Sequence, residues 1–287
     1  MPLPRDWDVR VDNWCKALHA RLARPLTELP MTMASTMDHL PVEAARRLKF
    51  KPIRTGAAWG REWEYAWFRA ATKVPSAGRG KAIVLTGVLG DVENESIVFI
   101  DGVAAGGLDR WHRHIDLSAP GRGGKELEIL LESYAGHRRP SVYFQFIDPG
   151  QPVMPPPRAT MQTFGGLHLA EWNEAAYQLW IDADTLRRLA HSLPPDSLRR
   201  FRLEEALTEL TCMVDLEGED DELDAAIPAA RRHLAPLLAA VNGTTAPEMF
   251  CIGHSHIDVS WLWPLAQTYR KNAHTFSTML ALMDRYR

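Results

Sequence analysis

Three side chains able to hold a metal ion stand at alternate positions in the run GHSHIDVSWLWP: His254, His256 and Asp258. In an extended chain alternate side chains share a face, with their Cα atoms about 6.6 Å apart. Imidazole nitrogen and carboxylate oxygen both bind zinc at about 2.0–2.2 Å, and a strand that ends in a curved loop lets neighbouring ligands converge on one ion. Catalytic zinc takes three protein groups and keeps one position open, so at least one ligand has to come from elsewhere. Position adds weight, because ligands of α/β barrels gather where strands leave the sheet. Trp261 and Trp263 follow directly and offer flat rings on which a sugar can stack. His112, His114 and Asp116 repeat the spacing, but inside the sandwich region and not with the carboxylate at a strand end, and the two histidines read as structural.

Other chemistry-bearing patterns are thin. GRGGK (Gly121 to Lys125) lacks the GxxxxGK[ST] frame and a following helix, so it reads as a turn. No G-x-S-x-G elbow surrounds Ser255 or Ser260, which leaves a serine hydrolase unsupported. The carboxylate pairs Glu204-Glu205 and Asp220-Asp221 read as solvated faces.

The elements that would position the run follow from periodicity. Val11, Trp14, Cys15, Leu18 and Leu22 recur at helical spacing, which predicts an amphipathic helix over 6–24, with a break at Pro25 and Pro30. From about residue 60 to 147 the pattern turns to short β-type runs: WEYAWFRAATKV, with Phe68, Ala70, Thr72 and Val74 on one face, then KAIVLTGV, ESIVFIDG, KELEILLE and SVYFQF. Asp101-Gly102 sits where a tight hairpin turn belongs. Short strands at this spacing predict an antiparallel sandwich or jelly roll. PGQPVMPPPR is proline-dense and reads as a linker and domain boundary.

Beyond the linker, Leu186, Leu189, Ala190 and Leu193 form one helical stripe and Leu203, Ala206, Leu207, Leu210 and Val214 another. A third helical region spans roughly 219 to 241, where Pro228 and Pro236 should kink or divide it, with Asn242-Gly243 as its stop. Glu248 to Ile252 then reads as a strand, and Leu265 to Arg287 as a helix. Strand, loop and helix in that order form the first unit of an α/β layer.

Composition sets the outer limits. The 287 residues are 46% hydrophobic and 24% charged, which suits a globular protein with room for two domains. A formal net charge of -3 offers no positive field for phosphate backbones or anionic lipid, so no nucleic-acid and no membrane partner is expected. No signal-peptide pattern opens the chain and no run approaches the roughly 18 apolar residues of a membrane helix, which makes the cytoplasm the expected compartment. Cys15, Cys212 and Cys251 form no CxxC pair and read as small buried apolar residues in reducing surroundings. Ten tryptophans add a weak hint of carbohydrate handling.

The run from Gly253 to Tyr286, GHSHIDVSWLWPLAQTYRKNAHTFSTMLALMDRY, resembles the start of the catalytic domain of glycoside hydrolase family 38, the α-mannosidases, and most closely its cytosolic and bacterial branch. Phe164 to Ala190 is similar to the family's helical connector, and Gly107 to Leu117 to the end of its N-terminal β domain. Residues 1–59 add little to the match. The resemblance implies that His256 and Asp258 are two of the family's zinc ligands, that His254 is a neighbouring non-ligand, and that Trp261 lies beside the cleaved mannose. It also implies that the nucleophilic aspartate, the acid/base carboxylate and the last histidine ligand come from later sequence, so that no catalytic carboxylate belongs to this chain. Gln267, His274 and Arg287 stand where the family pattern has glutamate, arginine and proline, departures that bear on substrate more than on membership.

The expected protein is therefore mixed in class. A helical or irregular segment (1–59) precedes an antiparallel, jelly-roll-like β-sandwich (60–148), a Pro-rich linker (149–160), a helical connector (161–245) and the first strand-helix unit of an incomplete α/β barrel (246–287). By resemblance it is the N-terminal part of a zinc-dependent retaining α-mannosidase of mannose metabolism, acting on mannose-containing oligosaccharides, with a homo-oligomer expected of the complete enzyme and no turnover by this chain alone. Two other readings stand beside it. Amidohydrolases place H-x-H at the end of a first barrel strand, and metallo-β-lactamase folds use H-x-H-x-D-H, whose last histidine is Val259 here. Alternatively, the chain is a non-catalytic carbohydrate-binding fragment.

Overall fold

A computed structural model describes residues 6–75, 82–91, 94–117, 124, 126–137, 160–241, 249–260 and 263–286. The expected strand SVYFQF, the linker up to residue 159, most of GRGGK, the Asn242-Gly243 stop and Trp261 lie outside the described residues. Two compact units form: one of Met1–Arg24 with Trp172–Gly253, the other of Pro25–Glu171 with His254–Arg287.

In chain order the elements are α1 (Trp7–Ala20), β1 (Ala23–Glu28), β2 (Met31–Thr36), α2 (Val42–Ala45), β3 (Lys51–Ile53), β4 (Ala58–Trp59) and β5 (Tyr65–Lys73). There follow β6 (Ala82–Val88), β7 (Ser96–Ile100), β8 (Val103–Leu108), β9 (His114–Asp116), β10 (Glu126–Tyr134), β11 (Gln162–Thr163) and β12 (Gly166–Trp172). The remaining helices are α3 (Glu174–Ser192), α4 (Leu198–Met213), α5 (Asp220–Leu238) and α6 (Leu265–Arg285).

The second unit is the expected β-sandwich. A six-stranded sheet of order β3-β2-β5-β10-β7-β8 faces a four-stranded sheet of order β1-β12-β6-β9, and β11 pairs with β4. Between them lies a core that includes Phe68, Leu85, Val98, Ile129, Leu131, Leu167 and Leu169. Asp101 and Gly102 make the two-residue hairpin between β7 and β8, with φ of 51° and 86°. Both values are the positive ones that such a turn requires.

The sandwich is larger than the 60–148 expected from sequence. It takes in β1 to β4, which lie within the segment read as helical or irregular, and β11 and β12, which lie in the segment read as connector. Leu29, Met31 and Ala34 are buried there; Pro25, expected to mark a break, lies within β1, an edge strand where a missing N–H is tolerated, and Pro30 separates β1 from β2.

Strand β10 explains how α6 is held. Leu131, opposite Phe68 and Val98, points into the core. Leu130 points to the outer face, where Trp67, Ile97 and Phe99 join it against Ala45 of α2 and Ala273 of α6. A sheet covered on both faces reads as a continuous apolar run rather than an alternation, as ILL and SIVFI do. Glu132 shares that outer face and is buried, so its charge demands a partner. Arg270 of α6 forms an ion pair with it and also donates to the Leu40 carbonyl, its guanidinium lying 5.4 Å from the Trp67 ring centre. Burial pushes the Glu132 carboxyl up to about 8, against the pull of Arg270.

Farther along α6, Thr278 Oγ1 accepts the Gly107 N–H of β8 at 2.9 Å. His274 fills the space that a side chain at Gly107 would need. The other side of α6 leaves Leu265, Tyr269, Phe276, Leu280 and Met283 exposed.

Of the strand expected at Glu248 to Ile252, the described residues 249–252 form none. Residues 249–258 carry no ladder, and Met249, Phe250 and Ile252 are 87%, 84% and 87% exposed. A strand needs a neighbour to satisfy its backbone, and none among the described residues pairs with this one.

In the first unit, α1, α3, α4 and α5 pack together through Leu18, Leu179, Leu186, Leu207, Leu210, Leu223 and Leu234. Asn173 caps α3 by accepting the Ala176 N–H at 3.0 Å. Helix α5 runs unbroken through Pro228 and Pro236, contrary to the expected division. Both prolines lie on its exposed side, so their rings leave the buried stripe Leu223, Ile227, Ala230 and Leu234 undisturbed. Cys15 is buried, but Cys212 and Cys251 are exposed, against the reading of all three as core residues.

If the glycine at 107 sets how closely α6 approaches β8, Gly107→Ala has a defined cost. A Cβ there would lie 1.8 Å from His274 Nε2. The substitution should lower stability by roughly 1–3 kcal/mol, read as an earlier urea midpoint. An unchanged midpoint would show that α6 is not held at this contact.

Candidate functional site

The segment that carries the H-x-H-x-D run is irregular, but it is tied to the helix that follows it. Thr268, in the first turn of α6, accepts the Ser260 N–H at 3.2 Å and the Trp263 indole N–H at 3.1 Å. Ser260 takes a φ of 52°, which turns the chain back toward the helix. With α6 fixed on the sheet, the loop is fixed to α6.

Within that loop the His256 and Asp258 side chains meet. His256 Nε2 and Asp258 Oδ1 are 3.0 Å apart, and the side chains are 71% and 45% exposed. Both groups lie on one side beside a cavity, in an irregular loop and not at the strand end on which the expected alternation rests. His254 is exposed and lies outside the pair.

A cavity of about 270 Å³ opens beside the two groups. The loop contributes His256, Asp258 and Trp263; the sandwich contributes Glu95, Asp109 and His112; α6 contributes Lys271 and His274. The Lys271 ammonium lies 4.5 Å from the Trp263 ring centre and pairs with Glu95. Of the two expected sugar platforms, Trp263 is at the cavity, whereas Trp261 falls outside the described residues.

The sandwich residues of this cavity are the ones the sequence reading missed. Asp109 closes a tight turn: its Oδ1 accepts the N–H groups of Trp111 and His112 at 2.6 and 2.7 Å, and its Oδ2 meets His112 Nδ1 at 2.9 Å. The structural role read for His112 is present in that bond, yet the ring also faces the cavity. The available signal was the D-x-x-H spacing of Asp109 and His112, which suits an Asx turn closed by a ring nitrogen. His114 remains structural, its Nε2 being 2.6 Å from Arg285 of α6.

An imidazole nitrogen and a carboxylate oxygen, both suitable for zinc, are gathered at one opening. No group of three or more His, Cys, Asp or Glu side chains able to hold a metal occurs among the described residues. The pair therefore fits zinc as part of a ligand set, not as a closed cage.

Burial raises the Asp109 carboxyl, but the His112 side chain and the two backbone N–H groups outweigh it and bring the pKa down to about 2. The same Asp109 hydrogen bond raises His112 above its ordinary 6.5, against desolvation. His274 is lowered by burial.

Two comparisons place these segments among known proteins. Residues 25–152 match the family described as alpha-mannosidase, jelly roll domain, and residues 246–287 match the glycosyl hydrolases family 38 N-terminal domain. Mouse Alpha-mannosidase 2C1 is 26% identical over 276 residues, which is 93% of this chain and 25% of the mouse protein. Alpha-mannosidase G of Dictyostelium discoideum is 23% identical, over 87% of this chain and 22% of that protein. The chain thus spans about a quarter of the length of these relatives. Among solved structures, a Faecalibacterium prausnitzii β-glucuronidase superimposes with a TM-score of 0.34 at 13% identity, covering 54% of this chain and 32% of its own. No helix among the described residues is long and apolar enough to cross a membrane.

The Asp109–His112 pair sets a pH window. Asp109 contributes stability above its unfolded 3.8 and loses it as pH falls toward about 2. His112, raised in the folded state, contributes fully below 6.5 and loses it as pH rises through its higher folded value. Asp109→Asn keeps the acceptor for the backbone but removes the charge. Its deficit in Tm should be largest between pH 4 and 6.5, the interval set by those two unfolded values, and shrink on both sides. A deficit independent of pH would show that only the turn geometry matters.

Proposed function

From its match to an alpha-mannosidase jelly roll domain over residues 25–152 and to the family-38 N-terminal domain over residues 246–287, we propose that this chain is the N-terminal part of a zinc-dependent, retaining α-mannosidase acting on mannose-containing oligosaccharides. The observation that supports the reading best is the His256–Asp258 pair, gathered at an open cavity within the segment that matches the family's catalytic domain.

His256 and Asp258 are the donors this chain would give to zinc. Zinc held there supplies orientation of sugar hydroxyls and stabilisation of developing charge. The chain's own residues do the remaining work on this side of the cavity. Trp263, braced by Thr268 and Lys271, offers an aromatic wall to the apolar face of a sugar ring. Glu95 and Lys271 place an acceptor and a donor on the wall the helix shares with the sandwich. The retaining chemistry needs two carboxylates about 5–5.5 Å apart, one as nucleophile and one as acid/base. Neither is assigned to a residue of this chain. A cytosolic enzyme that assembles as a homo-oligomer completes the proposal.

Two measurements test it. A polypeptide extended to the relatives' length should hydrolyse 4-nitrophenyl α-D-mannoside, and His256→Ala or Asp258→Asn should lower kcat/KM at least about a hundredfold together with bound zinc. Full activity in both variants would remove the metal role. The 287-residue chain itself should give no turnover; cleavage of an α-mannoside that Asp258→Ala abolishes would show that it is complete as a catalyst.

A further inference from the structure

A second cavity, of about 250 Å³, opens in the sandwich on the other side of the Asp109 turn. Its apolar lining consists of the buried Leu89 and Leu108, with Val88 exposed beside them. Its polar rim divides into groups that the fold uses and groups that it does not. The Asn94 amide donates to the Tyr134 carbonyl and accepts from Ser96, and Asp109 is saturated by its own turn. By contrast, the Asp91 carboxylate and the terminal nitrogens of Arg110 and Arg113 meet no hydrogen-bond or ion-pair partner among the described residues. Only Nε of Arg113 is engaged, to the Arg110 carbonyl at 3.1 Å. The Arg110 guanidinium lies 4.3 Å from the Trp111 ring centre, and that indole is 76% exposed.

We propose that this pocket is a second carbohydrate site, which takes one neutral hexose residue by its vicinal hydroxyls, apart from the His256–Asp258 cavity. A vicinal diol needs donors for its oxygens and an acceptor for its protons; two guanidiniums and one carboxylate at one rim supply both. A free anion would be met by the guanidiniums but repelled by Asp91. The apolar lining suits the C–H face of a pyranose, and Trp111, aligned by Arg110, offers a ring for a neighbouring sugar unit. The volume, about 250 Å³, lies just below the usual range for small-ligand sites and limits the occupant to a single sugar unit. The choice of mannose as probe rests on the function proposed above; the recognition chemistry does not.

The test is titration of the ¹⁵N-labelled full chain with methyl α-D-mannopyranoside and α-mannobiose, with inorganic phosphate as the anion probe. Saturable shifts of the amides of Gly87 to Asp91 and Arg110 to Arg113, with a Kd of roughly millimolar order, are expected from the sugars and not from phosphate. Asp91→Asn and Arg113→Gln, both surface changes, should each weaken binding about tenfold. His256→Ala should leave it unchanged. Absence of saturable shifts up to about 100 mM sugar, shifts from phosphate alone, or undiminished affinity in Asp91→Asn would each overturn the proposal. If the unsubstituted protein binds no zinc while sugar binding at this pocket is retained, the metal reading fails and this site stands.

Discussion

A carboxylate on the outer face of a covered sheet is the constraint from which the rest follows. Glu132 cannot stay charged under Trp67 and Leu130 without a cation, and α6 brings Arg270 to it. Removing one partner of such a buried pair costs about 3–5 kcal/mol, whereas replacing both by apolar groups can be nearly neutral. The pair is therefore better understood as a specification than as a stabiliser: of all the ways an amphipathic helix could lie on an apolar face, only those that bring Arg270 to Glu132 are acceptable. The proximity of Gly107 and His274 then narrows the approach, because the imidazole occupies the volume that any Cβ at 107 would take.

Once α6 is set, the loop before it has little freedom. Thr268 holds Ser260 and Trp263, and the His256–Asp258 pair stands between that anchor and the sandwich. The cavity is accordingly built from two sources distant in sequence, the 95–112 region of the sandwich and the 256–279 segment. The Asp109 turn is the piece of wall that separates it from the second pocket.

Local signals in the sequence were reliable where a single residue type answers a single backbone demand. Asp101-Gly102 gave a hairpin because both positions need positive φ, and the stripes of α1 and α4 gave helices because burial repeats every three or four residues. His256 and Asp258 do meet, but in a loop, so the strand alternation that suggests them is not what brings them together. What failed depended on partners. MTMAST is a poor strand by composition and becomes one only because β5 and β3 lie on either side of it. MFCI (249–252) looks like a strand and is not one, for want of a neighbour among the described residues. Pro228 and Pro236 predict a kinked or divided helix, yet α5 continues through both, on a side where water can reach the carbonyls they leave unbonded while the buried stripe keeps its packing. Asp109 and His112 were missed as cavity residues because nothing in the spacing tells which side of a turn will meet a helix more than 150 residues later.

The pairing of β1 with β12 carries a consequence for how the protein is made. The first strand of the four-stranded sheet comprises residues 23–28, and its neighbour residues 166–172. On a ribosome, the early segment must wait, unpaired, while well over a hundred further residues are synthesised, since no closer strand of that sheet lies beside it. Sheets dominated by such distant pairings form slowly. Until β12 has emerged the four-stranded sheet cannot close at that edge, and the apolar surface it will cover stays open to other chains for that interval.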